Sequence, residues 1–369
     1  MSPQAVDMDI NVHHVTRVEG HGNIVVDVKS GQVKDCRLEI VEAPRFFESF
    51  LRGRTWREAH LITSRICGIC SPGHQLTSLR ATEDAMDIVP SEQTVLLRKI
   101  VCDAATLQSH ILHVCFLAVP DLFDAPSVIP MAETHPEVVK LALKLKKLAN
   151  DICDDVAGRS VHPVRMIPGG FTMVPTQQQL RAIQDRCKDA LNDIQTLAEL
   201  VASVADRFPS FERETEYISL RSPEEYALYD GDICSSDGVT TDAHNYREMT
   251  NEYVVPYATA KRAKVHRSSI AVGALARCNN NSDLFNEAAA RAAGTMGYQA
   301  PCFNPYFFNV AQVIECAHVL QRIGEYCDQV LTAGLKDEGK PEIKVKAGHG
   351  IGCTEVPRGI LYHDYVYDD

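Results

Sequence analysis

The segment Arg65-Ile66-Cys67-Gly68-Ile69-Cys70-Ser71-Pro72-Gly73-His74 gathers two thiols, an imidazole and a guanidinium beside a Pro-Gly turn. Two cysteines at this spacing can close on one ion, because Gly68 lets the backbone turn without a Cβ clash. The pair is shared by zinc ribbons, iron-sulfur clusters and thioredoxin-like redox sites. One local alternative is a structural zinc site of Cys67, Cys70 and His74, completed by a fourth ligand. In Arg17-Val18-Glu19-Gly20-His21-Gly22 an acid lies between a cation and an imidazole. It could relay protons, although taken alone it reads as a salt-bridged surface strand. His110 and His113 share one face of a helix and read as a satisfied core pair rather than a metal pair. Gly158-Arg159-Ser160-Val161-His162-Pro163, leading to Pro168-Gly169-Gly170, reads as loop punctuation. In Glu355-Val356-Pro357-Arg358-Gly359 the proline fixes the backbone, so the arginine can be held rigidly. Over a metal it would balance charge that develops during reaction; elsewhere it would be a structural ion pair.

These residues must be positioned by a mostly α fold, a long-helix bundle with a small N-terminal antiparallel β hairpin or sheet. Residues 12–42 alternate as strands around Ser30-Gly31. Helical spacing of apolar residues is expected over Ser91–Leu117, Glu137–Val156, Gln178–Phe208, Asp283–Met296 and Asn309–Leu335. One domain over 1–369 accommodates these elements: a hairpin region at 12–42, a helical core at 46–220, an irregular excursion at 221–264, then helices and a strand and turn region at 265–369. Glu342–Lys346 reads as a strand running into a glycine-rich turn at Gly348–Gly352.

With 369 residues, 45% of them hydrophobic, the chain can bury a catalytic metal. A net charge of −12 without a basic stripe argues against nucleic acid as a partner. Thirteen cysteines, an odd number without a framework, fit a reducing compartment. Met1–Asp7 has no leader pattern, and no apolar run is expected to reach bilayer length, so the expectation is a cytoplasmic chain with no direct membrane insertion.

Five motifs together, from residue 17 to 359, resemble the large subunit of the nickel-iron hydrogenases. They are Arg17-x-Glu19-Gly20-His21, Arg65-x-Cys67-Gly68-x-Cys70-x-x-x-His74, Gly158-x-x-x-His162-Pro163, Leu275-Ala276-Arg277-x-Asn279-Asn280 and Glu355-x-Pro357-Arg358-Gly359. Gln108-Ser109-His110 and the compact length look most like the cytoplasmic, methyl-viologen-reducing branch. That branch feeds heterodisulfide reductase or reduces deazaflavin and nicotinamide carriers. The resemblance implies reversible heterolytic cleavage of dihydrogen at a nickel-iron centre whose iron carries carbon monoxide and cyanide. Electrons would pass to an iron-sulfur small subunit. Possible further partners are an electron-transfer subunit linked to heterodisulfide reductase and a separate C-terminal peptide.

By the same resemblance Cys67 would be a terminal nickel ligand and Cys70 a bridge to iron, with Arg17, His21 and Arg65 around the site. His74 would donate to a sulfur, Glu19 would take the proton, Arg358 would sit over the open metal position and Pro357 would pack on the diatomic ligands. Glu48 would bind magnesium or a similar ion, against a plain exposed helix carboxylate. The family's second motif, Asp-Pro-Cys-x-x-Cys-x-x-His, is absent, and Cys353 has no partner at that spacing. Three explanations stand in order: a fragment ending at Asp369, a split subunit, and a non-catalytic scaffold lacking the complete centre.

Overall fold

The computed structural model describes residues 7–43 and 45–368. Met1–Val6, on which the leader reading partly rested, Pro44 and Asp369 lie outside the described residues. The bundle forms as its apolar spacing requires. Helix Phe308–Ala333 is apolar around most of its circumference and runs through the middle, packed on Gln177–Ser203 and Glu92–His113, which in turn packs on Pro136–Ala157. Leu107, Ile111, Leu145, Ile152, Ile194 and Val313 are buried between them. Two of the long helices, Glu92–His113 and Gln177–Ser203, start where the sequence provides a cap. The Ser91 hydroxyl accepts from the Thr94 N–H, and Thr176 and Gln179 form a reciprocal capping box.

Five sequence expectations need correction. The first helix stops being α-helical at His113 and continues as a π turn at Val114–Ala118. Glu92–Leu122 is long and apolar enough to cross a bilayer, against the expectation that no run reaches that length, but 78% of its apolar window is buried inside the fold. Asp283–Met296 is two elements, a 3-10 turn at Ser282–Leu284 and a helix from Glu287 to Thr295 capped by Asn286. The N-terminal hairpin carries a further strand: Met8–Val12, Gly22–Lys29 and Gln32–Ile40 form an antiparallel sheet in that order.

The fifth correction concerns the glycines near the C-terminus. Glu342–Lys346 is irregular, and the regular strand is Gly348–Val356, paired with Gly359–Tyr367. Its alternating glycines lie directly on the backbone of helix Ser71–Met86. A Cβ on Gly348, Gly350 or Gly352 would come within 2.1, 2.2 and 2.1 Å of the carbonyl oxygens of Ala85, Ala81 and Thr77. Two residues of strand advance about as far as four of helix, so the glycine period of two matches the helix period of four. This packing brings the Glu355–Arg358 segment to the helix that follows the cysteine pair.

Candidate metal centre

Helix Ser71–Met86 begins one residue after Cys70, with Pro72 in its first turn. The cysteine pair therefore sits at the positive end of a helix, where thiolates are favoured. The Cys70 backbone N–H donates to Cys67 Sγ at 3.2 Å. A hydrogen bond from the Cys70 thiol holds Cys67 below its usual range, and the same bond together with burial pushes Cys70 up. One sulfur is thus prepared to ionise first.

Two distant segments converge on this pair. Glu19 is close enough to raise both thiols, and the Arg358 guanidinium is close enough to Cys70 to pull it down. Glu19 is exposed on a loop that is tied at both ends. Arg17 reaches Asp121 at 2.9 and 3.3 Å and the Pro126 carbonyl at 3.1 Å, while His21 Nδ1 lies 2.7 Å from Glu42 Oε1. The salt-bridge reading of the hexapeptide holds for its ends, on a loop rather than a strand.

His74, one turn into the helix, has its Nδ1 side taken up by a second histidine. Its Nδ1 lies 3.3 Å from His363 Nε2; His363 Nδ1 is 2.5 Å from the Tyr365 hydroxyl, which is 2.9 Å from Ser78 Oγ. Burial lowers His74 to about 4 and His363 to about 3, so both rings are neutral at pH 7. Among the described residues, no third cysteine, histidine or carboxylate gathers with Cys67 and Cys70 into a three-ligand cluster. The cluster that does gather three ligating groups, Glu216, Asp237 and His266, is filled by its own bonds to Ser235 and Arg267.

Glu48 is exposed and 3.6 Å from Arg45, but it lines the same large cavity as His74 and His363. Arg65 is exposed and lines a separate surface pocket with Asp154, Arg159 and His162. Arg358 is less constrained than its motif suggests, since its hydrogen bond is one 3.5 Å contact to Ser109 Oγ. Pro357 is buried beside it. His110 and His113 are core residues as expected, at 2.6 Å from Glu315 and 2.7 Å from Gln312.

Three participants escaped the sequence reading. His162 has φ +54°, donates its N–H to Ser71 Oγ at 2.8 Å and places Nδ1 2.9 Å from the Ser64 carbonyl. It ties both sides of the cysteine turn and is more than punctuation. His363 was given no role. Arg277 was one letter of a motif, and only the fold shows its partners.

Known proteins resemble this chain along nearly its whole length. A model described as nickel-dependent hydrogenase matches residues 45–137, and one described as HoxL-like matches 9–43. The alpha chain of sulfhydrogenase 1 from Pyrococcus furiosus is 31% identical over 357 residues, spanning 96% of this chain and 83% of that protein. The matching component of the F420-non-reducing hydrogenase of Methanothermobacter marburgensis is 29% identical over 398 residues, spanning 98% and 81%. An NAD+-reducing [NiFe]-hydrogenase in the H2-reduced state superposes with a TM-score of 0.88 at 25% identity, covering 98% of this chain and 86% of that one. The Ni-Fe-Se hydrogenase of D. vulgaris Hildenborough shares the fold at a TM-score of 0.82 and 22% identity, covering 99% and 87%. On this similarity the chain belongs to the nickel-dependent hydrogenases, as a counterpart of their catalytic large subunit.

Proposed function

We propose that Cys67 and Cys70 hold the nickel side of a nickel-iron centre, Cys67 as terminal ligand and Cys70 as bridge to iron, in reversible cleavage of dihydrogen. The carrying observation is convergence: Glu19 and Arg358, far apart in sequence, both act electrostatically on one cysteine pair at a helix N-terminus. Soft thiolates at that position suit both metals. They are half of the four thiolates such a centre takes. Cys353 does not add to them, because it is buried among Ile218, Leu220 and Met249. The remaining pair would come from a segment outside this sequence or from a separate polypeptide.

When bound, the two metals supply the polarisation that splits dihydrogen heterolytically. Glu19 would take the proton, on a loop tied down at Arg17 and His21. Arg358 would supply a positive charge beside the centre, and the buried Pro357 would exclude water there and pack against carbon monoxide and cyanide on the iron. For His74 to donate from Nε2 to a sulfur, its Nδ1 must accept from His363 Nε2–H. Glu48 would hold magnesium in the adjoining cavity.

Electrons would leave to an iron-sulfur small subunit, then pass to a cytoplasmic acceptor linked to heterodisulfide reductase. A second reading is a non-catalytic scaffold subunit, since this sequence holds two of the four thiolates. Hydrogen-dependent reduction of benzyl viologen by the intact complex, lost in Cys67→Ser, supports the enzyme; a complex that never reduces the dye supports the scaffold.

A further inference from the structure

Arg358 leaves the turn between strands Gly348–Val356 and Gly359–Tyr367, and its side chain has almost nothing to hold it. It is exposed, and its hydrogen bond is the 3.5 Å contact to Ser109. The direction of the guanidinium must therefore be set by its backbone. That backbone is gripped from below by Arg277, which is fully buried in helix Ala274–Asn281.

All five N–H donors of Arg277 are used. Nε donates to Glu315 Oε1 at 2.5 Å, and NH2 donates to Glu315 Oε2 at 2.7 Å and to the Pro357 carbonyl at 3.1 Å. NH1 donates to Glu355 Oε2 at 2.8 Å and to the Val356 carbonyl at 2.9 Å. The two carboxylates are themselves fixed: Glu315 by the Tyr226 hydroxyl and His110, each at 2.6 Å, and Glu355 by the Leu220 N–H at 2.8 Å. Two glycines make the close approach possible. Gly273, just before the helix, has φ +95°, and a Cβ there would be 2.9 Å from the Arg358 carbonyl oxygen. Gly359, just after Arg358, has φ +156°, and a Cβ there would be 2.4 Å from Val272.

We propose that Arg277 is a positioning residue for dihydrogen cleavage, clamping the carbonyls of Val356 and Pro357 so that Arg358 leaves its turn in one direction. This rests on the assignment of Arg358 to the open metal position. Lysine keeps the charge of Arg277 but has three donors on a single nitrogen and cannot span both carboxylates and both carbonyls.

The test is a double-mutant cycle in the assembled hydrogenase, with Arg277→Lys, Arg358→Lys and the pair, reading kcat, KM for dihydrogen, and nickel and iron content. Each single variant is expected to lose about 100-fold in kcat with metal content and KM near wild type, and the double to lose little beyond Arg358→Lys alone. Losses that multiply, or metal content that falls with activity in Arg277→Lys, overturn the clamp while leaving Arg358 in place. An Arg358→Lys enzyme with full turnover overturns the assignment of Arg358, and the clamp with it. Should Arg277→Lys not assemble, Tyr226→Phe loosens the same clamp through Glu315. It is expected to lower kcat roughly fivefold beside Arg358 and not at all beside Lys at that position. Equal losses in both backgrounds overturn the clamp.

Discussion

Replacing Gly350 by alanine places a methyl carbon 2.2 Å from both the Ala81 carbonyl oxygen and the Ala85 nitrogen. Ordinary contact needs about 3.4 Å or more, so strand and helix must part by roughly 1 Å. Neither obstacle is the flexible end of a side chain. The strand is paired along its whole length with Gly359–Tyr367, and the helix packs on the core. Overpacking of this kind costs about 3 kcal/mol, at the upper end of its usual range. The displacement also carries Glu355–Arg358 away from the helix that follows Cys70, and a shift near 1 Å between reacting groups lowers turnover by about 100-fold. Gly324→Ala is the control, because a Cβ there meets nothing within 4 Å in mid-helix. It should gain about 0.5–1 kcal/mol, since alanine is the better helix former. Urea unfolding of the purified complex, with hydrogen uptake on the same samples, measures both effects. A Gly350→Ala protein with wild-type midpoint and turnover would refute the direct backbone contact.

Other perturbations test separate parts of the site. Glu19→Gln should lower hydrogen-deuterium exchange by about 100-fold at unchanged nickel content, and normal exchange would remove the proton role. Cys70→Ser should yield a complex without the iron half of the centre; iron retained at the site would show that the ligand is misassigned. Stability should fall as pH drops from about 6.5 to 4. Burial holds His60 at about 4 and His318 at about 3, so the unfolded chain, near 6.5, takes up protons first. At about 1.4 kcal/mol per unit, His60 is worth roughly 3 kcal/mol and His318 roughly 5 kcal/mol above pH 6.5, and that stability is lost as pH falls toward each folded value. Urea midpoints that stay level between pH 7.5 and 4.5 would contradict this.

The cysteine turn, four of the five expected long helices and the N-terminal hairpin were legible because each rests on local chemistry: spacing of thiols, apolar periodicity and alternation. Glycines at 348, 350 and 352 were misread as a turn because glycine is a turn former when only the chain's neighbours are considered. Their reason is a helix that ends as far back in the sequence as Met86. His363 and Arg277 escaped for the same reason, since a buried donor is recognised by its acceptors. His74 meets His363 across 289 positions, and Arg277 reaches Glu355 across 78. His162 was hidden by its neighbours Pro163 and Gly158, whose turn signal masked a histidine that ties two segments. The rigidity expected of Arg358 from Pro357 was right about the backbone and wrong about the side chain.

The most direct test of the central claim is the nickel content of the complex isolated from its own cells, compared between wild type and Cys67→Ser by elemental analysis. One nickel per large subunit, lost in the variant, is the result expected from thiolates of Cys67 and Cys70 holding the centre. A complex without nickel, or one whose nickel is untouched by Cys67→Ser, would contradict it.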